Sequence, residues 1–76
     1  MEMKDFIQNF ADQFDEIDVN VLTPETNFRE LQEWSSLVAL SVLAMIDEEY
    51  DVPLKADEMR QTTLIQELFD LVQSKL

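Results

Sequence analysis

The side chains that could do chemistry in this chain are hydroxyls and carboxylates. The sequence contains no cysteine and no histidine, which removes thiolate nucleophiles, imidazole bases, disulfides and the metal sites built on sulfur or imidazole. It contains no glycine either, so the glycine-rich loops that cradle phosphates are excluded. This inventory predicts a protein that is not an enzyme. Any reactive sulfur would have to come with a cofactor.

Two adjacent hydroxyls, Ser35 and Ser36, precede the apolar stretch that begins at Leu37. Periodicity does not explain the residues before them, so we expect a structured loop to deliver these hydroxyls to the start of a helix. A helix start has free N–H groups and the positive end of the helix dipole, which together would favour a phosphodiester on the hydroxyl. Serine is also among the commonest helix caps, so the pair taken alone could be only a cap.

An acidic run consists of Asp47, Glu48 and Glu49 with Asp51. Paired carboxylates suit Ca²⁺ or Mg²⁺, but the run lacks ligands at fixed alternating spacing, so a solvated acidic face is the favoured interpretation. No nucleophile or oxyanion donor accompanies these residues, which argues against a general acid–base pair. We therefore predict no metal site and no catalytic residue.

The elements that must position these residues are predicted to be helices. The first is indicated by apolar residues that recur at helical spacing, namely Met3, Phe6, Ile7, Phe10 and Phe14. The second is expected from about Ser36 to Tyr50, because Pro53 prevents it from continuing. Its apolar face is predicted to consist of Leu40, Leu43, Ile46 and Tyr50, with Val42 as a further candidate.

The rest of the chain completes an all-α fold. A short helix is predicted near Ala56 to Met59, and a final helix is predicted to open at Thr63 with Gln66 as its capping-box partner. The connection between the first two helices is long, at about twenty residues. Its apolar residues are expected to hold it against the core: Ile17, Val19, Val21, Leu22, Phe28 and Leu31. Three long helices and one short helix predict a four-helix bundle in a single domain, residues 1–76.

The charge of the chain limits its partners. It has 17 acidic and 5 basic residues, a formal net charge of −12. This excess argues against nucleic acid and anionic membrane surfaces, which are bound through cations, and it favours basic protein patches. The longest apolar run, Leu37 to Ile46, has about half the length that spans a bilayer, and no secretion signal is recognisable. We expect a cytoplasmic monomer without membrane insertion.

Together these features resemble the acyl carrier proteins, and more broadly the phosphopantetheine-binding carrier domains. That family has Asp-Ser-Leu at the start of its second helix and an ending such as Glu-Glu-Phe-Asp. The matching segments here are Ser35-Ser36-Leu37 and Asp47-Glu48-Glu49-Tyr50-Asp51-Val52-Pro53-Leu54. Phe28 lies eight positions before Ser36, as in the family, and Thr62-Thr63-Leu64 matches the Thr-Thr-Val that opens its last helix. The resemblance covers essentially the whole chain.

The resemblance implies a covalent 4′-phosphopantetheine arm, derived from coenzyme A, on Ser36, with Ser35 as the alternative register. The thiol of the arm would hold acyl groups as thioesters for fatty-acid, polyketide or similar biosynthesis, which fits the lack of cysteine. The implied partners are a phosphopantetheinyl transferase and enzymes that load and process the acyl group through basic or mixed basic and apolar docking patches. An unmodified acidic module for protein–protein interaction remains the alternative.

Departures from the family pattern affect the expected recognition surface. Ser35 replaces the aspartate that usually precedes the modified serine, and no glycine stands upstream. Val38 and Ser41 occupy positions where the family often has acids. These departures predict a specialised carrier rather than a housekeeping one.

The residues predicted to recognise partners are Glu30, Glu33, Trp34, Leu37, Val38, Ser41, Asp47 and Glu48. The acids would steer basic partners towards the site. The apolar patch would consist of Trp34, Leu37 and Val38. The alternative is that Trp34 and Val38 simply pack on the loop.

The acidic excess predicts a salt-dependent stability. Repulsion among the carboxylates destabilises the folded chain, and salt screens that repulsion. We expect the midpoint of thermal unfolding, followed by far-UV circular dichroism, to rise when NaCl is raised from ~0.01 M to ~0.15 M. A midpoint that stays constant over this range would show that self-repulsion does not limit stability.

Overall fold

The structure is a computed structural model that describes residues 1–76, and it contains four α-helices and no strands. The helices are α1 (Met3–Ala11), α2 (Ser36–Tyr50), α3 (Ala56–Met59) and α4 (Ile65–Ser74). Two 3₁₀ turns, Val19–Val21 and Phe28–Glu30, lie between α1 and α2. None of the helices combines the length and the apolar character needed to cross a membrane. The prediction of an all-α protein is confirmed.

Helix α1 presents one apolar face to the core, as its periodicity predicts. Phe6 and Phe10 are completely buried on that face. The helix ends at Ala11, however, so Phe14 lies beyond it, in a turn where its N–H donates to the carbonyl of Ala11 at 3.0 Å. The Phe14 side chain is nevertheless buried, because the turn continues to face the same core.

Helix α2 has the predicted bounds, but its buried face differs from the prediction. Val42, Met45 and Ile46 are buried at helical spacing, whereas Leu40 is 61% exposed. Leu40 precedes Val42 by two positions, which rotates it by about 200° around the helix axis. The prediction that Leu40 belongs to the core face is therefore wrong, because this apolar helix allows more than one choice of buried stripe.

The end of α2 is set by its backbone. Asp51 adopts a left-handed conformation with φ 58°, which aspartate tolerates better than most residues. Its N–H donates to the carbonyl of Asp47 at 2.9 Å. Pro53 follows two residues later and cannot continue the helix.

Helix α3 lies where the sequence predicts it, whereas α4 begins at Ile65 instead of Thr63. The backbone of Thr63 is paired with the connection, since its carbonyl accepts from the N–H of Phe28 at 3.1 Å. The capping carboxylate is Glu67, not Gln66: its Oε1 accepts from the N–H groups of Thr63 at 2.8 Å and Leu64 at 3.0 Å.

One cluster of sixteen buried hydrophobic residues forms the core and draws on every helix and on the connection. Leu22 and Phe28 bring the connection into it, and Ile17, Val19 and Leu31 are half-buried against it. The prediction that Val21 packs on the core is wrong, since Val21 is 60% exposed. It lies at the end of a 3₁₀ turn from which Val19 packs on the core instead.

The carboxylate of Glu67 makes the stability of α4 depend on pH. Hydrogen bonds from the N–H groups of Leu64 and Thr63 lower the pKa of Glu67 below its usual 4.5. A carboxyl group with a lowered folded-state pKa contributes stability that is complete above its unfolded pKa and is lost as pH falls through the folded one. We expect Glu67→Gln to flatten this acid-side loss in urea unfolding measured as a function of pH.

The matched control is Glu49→Gln, which removes an exposed carboxylate from α2. For this variant, the slope of the unfolding free energy against pH on the acid side should stay closer to that of the wild-type chain. Equal slopes for the two variants would contradict the assigned capping role of Glu67.

Candidate functional site at the start of helix α2

The two adjacent serines have different environments in the structure. Ser35 is the N-cap of α2, and its Oγ accepts a hydrogen bond from the N–H of Val38 at 3.2 Å. Ser36 is the first helical residue, is exposed, and makes no side-chain hydrogen bond within the protein. The capping role therefore falls to Ser35, and the hydroxyl of Ser36 is left free.

The helix start around Ser36 favours negative charge. The N–H groups of Ser36 and Leu37 have no acceptor within the protein, as expected for the first residues of a helix. No acidic side chain lies in the first turn of α2. The partial positive charge of the helix terminus is thus not neutralised by a carboxylate of that turn.

Trp34 fixes the backbone immediately before the two serines. Its indole lies 4.9 Å from the ring of Phe28 and is stacked on Phe10 at 6.1 Å, centroid to centroid. The ring is half-buried and also contacts Phe14 at 6.4 Å. The structure thus places Trp34 mainly in contact with the core, in line with the alternative interpretation that it packs on the loop.

A groove of about 480 Å³ opens beside Ser36, between α2 and α3. We call it the α3-side groove. Its lining is partly apolar and partly basic and comprises Arg29, Trp34, Ser35, Ser36, Ala39, Leu40, Leu43, Ala56, Met59 and Arg60. The exposed Leu40 lines this groove.

Arg29 joins the 3₁₀ turn before the site to the end of α3. Its Nε donates to the carbonyl of Thr62 at 2.8 Å, and its Nη2 donates to that of Met59 at 2.9 Å. The guanidinium carbon also lies 5.6 Å from the ring centroid of Phe28. Arg60 is exposed and pairs with Asp57 one turn away. Neither arginine is predicted from the sequence to lie beside the site. The one hint in the sequence is that basic residues are few, 5 in all.

On the other side of Ser35, two adjoining hollows of about 510 and 660 Å³ face the connection. Glu33 lines both, and Leu37 and Val38 line the smaller one. Leu37 is 74% exposed, whereas Val38 is half-buried. Three of the predicted recognition residues are therefore grouped beside Ser36.

The other predicted recognition residues are more dispersed. Glu30 is exposed on the 3₁₀ turn, and Ser41 is half-buried on α2. Asp47 and Glu48 are exposed near the far end of α2, eleven or more positions beyond Ser36 and thus roughly 16 Å along the helix. No group of three or more acidic side chains is placed so that it could hold a metal ion.

Comparisons of the chain with protein-family models, with curated proteins and with solved structures find no match. The carrier interpretation therefore depends on the motifs of the sequence and on the geometry around Ser36.

Substitution of the two serines is expected to change stability by different amounts. Ser35→Ala removes the cap and should lower the free energy of unfolding by about 0.5–2 kcal/mol. Ser36→Ala removes an unbonded, exposed hydroxyl and should change it by less than about 0.5 kcal/mol. Urea denaturation of both variants measures the difference. A larger loss for Ser36→Ala would mean that Ser36, and not Ser35, is the cap.

Proposed function

We propose that this chain is a carrier protein that holds acyl or related groups on a 4′-phosphopantetheine arm attached to Ser36. The fold would be the four-helix bundle of the acyl carrier family, with residues 12–35 as its long structured loop. The observation that supports this most is the free, exposed hydroxyl of Ser36, at the first residue of α2 and beside a groove.

The residues at the helix start fit a phosphodiester. The unbonded N–H groups of Ser36 and Leu37 and the positive helix end would stabilise its negative charge. Ser35 keeps its own hydroxyl in the cap and so holds the helix start in place. When bound, the arm would supply the thiol that the chain lacks and would hold acyl groups as thioesters.

The α3-side groove supports the proposal because it lies next to the attachment point. Ala39, Leu40 and Leu43 of α2 and Met59 of α3 give it an apolar lining. Burial of apolar surface is favourable roughly in proportion to its area. The groove would thus shelter the apolar part of a carried group from water.

The charge of the chain supports protein partners with basic or mixed basic and apolar patches. These would include a phosphopantetheinyl transferase and the enzymes that load and process the acyl group in fatty-acid, polyketide or similar lipid metabolism. The net charge of −12 would speed the encounter with such partners. We propose a monomer that works in the cytoplasm and has no catalytic residue of its own.

The replacement of the family's aspartate by Ser35 favours one alternative, an unmodified interaction module of the same fold. Ser35 preserves the cap but contributes no charge. A transferase that requires a carboxylate at this position would not modify the chain. Whether Ser36 accepts the arm separates the two functions.

The test is to incubate the purified chain with coenzyme A and a broad-specificity phosphopantetheinyl transferase and to measure its intact mass. We expect the chain and its Ser35→Ala variant to gain the mass of one arm and Ser36→Ala to gain none. Fragment mass spectra then locate the modification. Modification of Ser36→Ala would move the attachment to Ser35, and resistance to several transferases would favour the unmodified module.

A further inference from the structure

The two hollows on the connection side of Ser35 form one continuous surface, because Glu16 and Glu33 line both. We call it the loop-side groove. It is bounded by the segment after α1, by the segment before α2 and by the first turn of α2. Its lining residues are Phe14, Asp15, Glu16, Ile17, Asp18, Val21, Leu31, Glu33, Ser35, Leu37 and Val38.

The lining of the loop-side groove combines apolar side chains with carboxylates. Four of its residues are acidic, namely Asp15, Glu16, Asp18 and Glu33, and none is basic. Two of the most exposed large apolar residues of the chain, Val21 at 60% and Leu37 at 74%, belong to it. These two apolar side chains and the four carboxylates therefore line the same groove.

The opposite side of Ser35 has a different charge. Both arginines beside the site, Arg29 and Arg60, line the α3-side groove. Helix α2 has no charged residue from Ser36 to Ile46. The carboxylates of the loop-side groove are therefore grouped on one side of the two serines, and the two arginine side chains lie on the other.

We propose that the loop-side groove binds a cationic amphipathic segment of a partner protein. Apolar side chains of that segment contact Leu37 and Val21, and its lysine or arginine side chains pair with the four carboxylates. Charge complementarity excludes the other occupants: nucleic acid and anionic membranes are repelled. A second copy of this chain would bring the same carboxylates together.

This surface directs a partner to one side of Ser36 and leaves the α3-side groove free. It also replaces the distant acids Asp47 and Glu48 with nearer ones as the main charge contacts. The groove is formed by the chain whether or not Ser36 is modified, so the proposal does not rest on the carrier function.

The probe for the test is a synthetic amphipathic helical peptide of leucine and lysine, added to the ¹⁵N-labelled, unmodified chain at ~0.15 M salt. A peptide of the same composition in permuted, non-amphipathic order is the control. We expect amide shifts at the loop-side groove with the first peptide and weaker binding of the second. Shifts centred on Asp47 to Tyr50, or equal binding of both peptides, would overturn the proposal.

Two matched pairs of variants sharpen the test. Leu37→Ala and Leu40→Ala each shorten an exposed leucine of α2, but only Leu37 lines the loop-side groove. The double variant Glu16→Gln with Glu33→Gln removes the same charge as Glu48→Gln with Glu49→Gln. We expect the two groove variants to weaken peptide binding by about fivefold or more and the controls by less than about twofold.

Equal weakening within either pair would overturn the loop-side groove as the binding surface. These measurements use the unmodified chain, whereas the proposed carrier function is tested by arm attachment to Ser36. The failure of one proposal therefore leaves the other intact.

Discussion

The packing of Trp34 against Phe10 and Phe28 is the contact on which the candidate site depends. Residues 12–35 include no α-helix and no glycine, so their course is determined by what they bury. Phe28 is fully buried. Trp34, one residue before Ser35, lies against the ring of Phe28 at a tilt and is stacked on Phe10 of α1. Because aromatic rings bury large areas with defined geometry, the start of α2 is held relative to α1 by the core itself.

The strongly acidic composition conceals an uneven distribution of charge around that site. Two of the 5 basic residues lie beside one groove, and four carboxylates line the other. Ser35 lines a hollow on each side. Under the proposed function, such a site would present a partner protein and a carried group with different surfaces. Net charge alone would describe it as uniformly anionic.

The bounds of α2 were predictable because strong local signals flank it, namely the two capping serines and Pro53. Periodicity wrongly placed Leu40 in the core. Helix α2 is apolar on several sides, so the sequence does not define a unique buried face. The capping-box pattern predicted that the last helix begins at Thr63, two residues too early. A local motif does not reveal that the Thr63 carbonyl accepts a hydrogen bond from the N–H of the distant Phe28.

The site was predictable as a pair of hydroxyls and no further. The cap can be assigned to Ser35 only when the start of the helix is known to a single residue. Helix propensities do not define it that closely. The two grooves are formed by residues far apart in the sequence, and so are the contacts of Arg29 with Met59 and Thr62. Such contacts depend on how the chain packs and have no local pattern.

The Arg29 guanidinium has a consequence for how the α3-side groove can change shape. It connects the 3₁₀ turn before the site to the carbonyls of Met59 and Thr62. These carbonyls lie at and just after the end of α3, the helix that forms the other side of the groove from α2. If α3 moves outward to admit a larger molecule, either both hydrogen bonds break or the turn moves with it. That turn leads through Trp34 to Ser35, so the width of the groove and the position of the helix start are mechanically coupled.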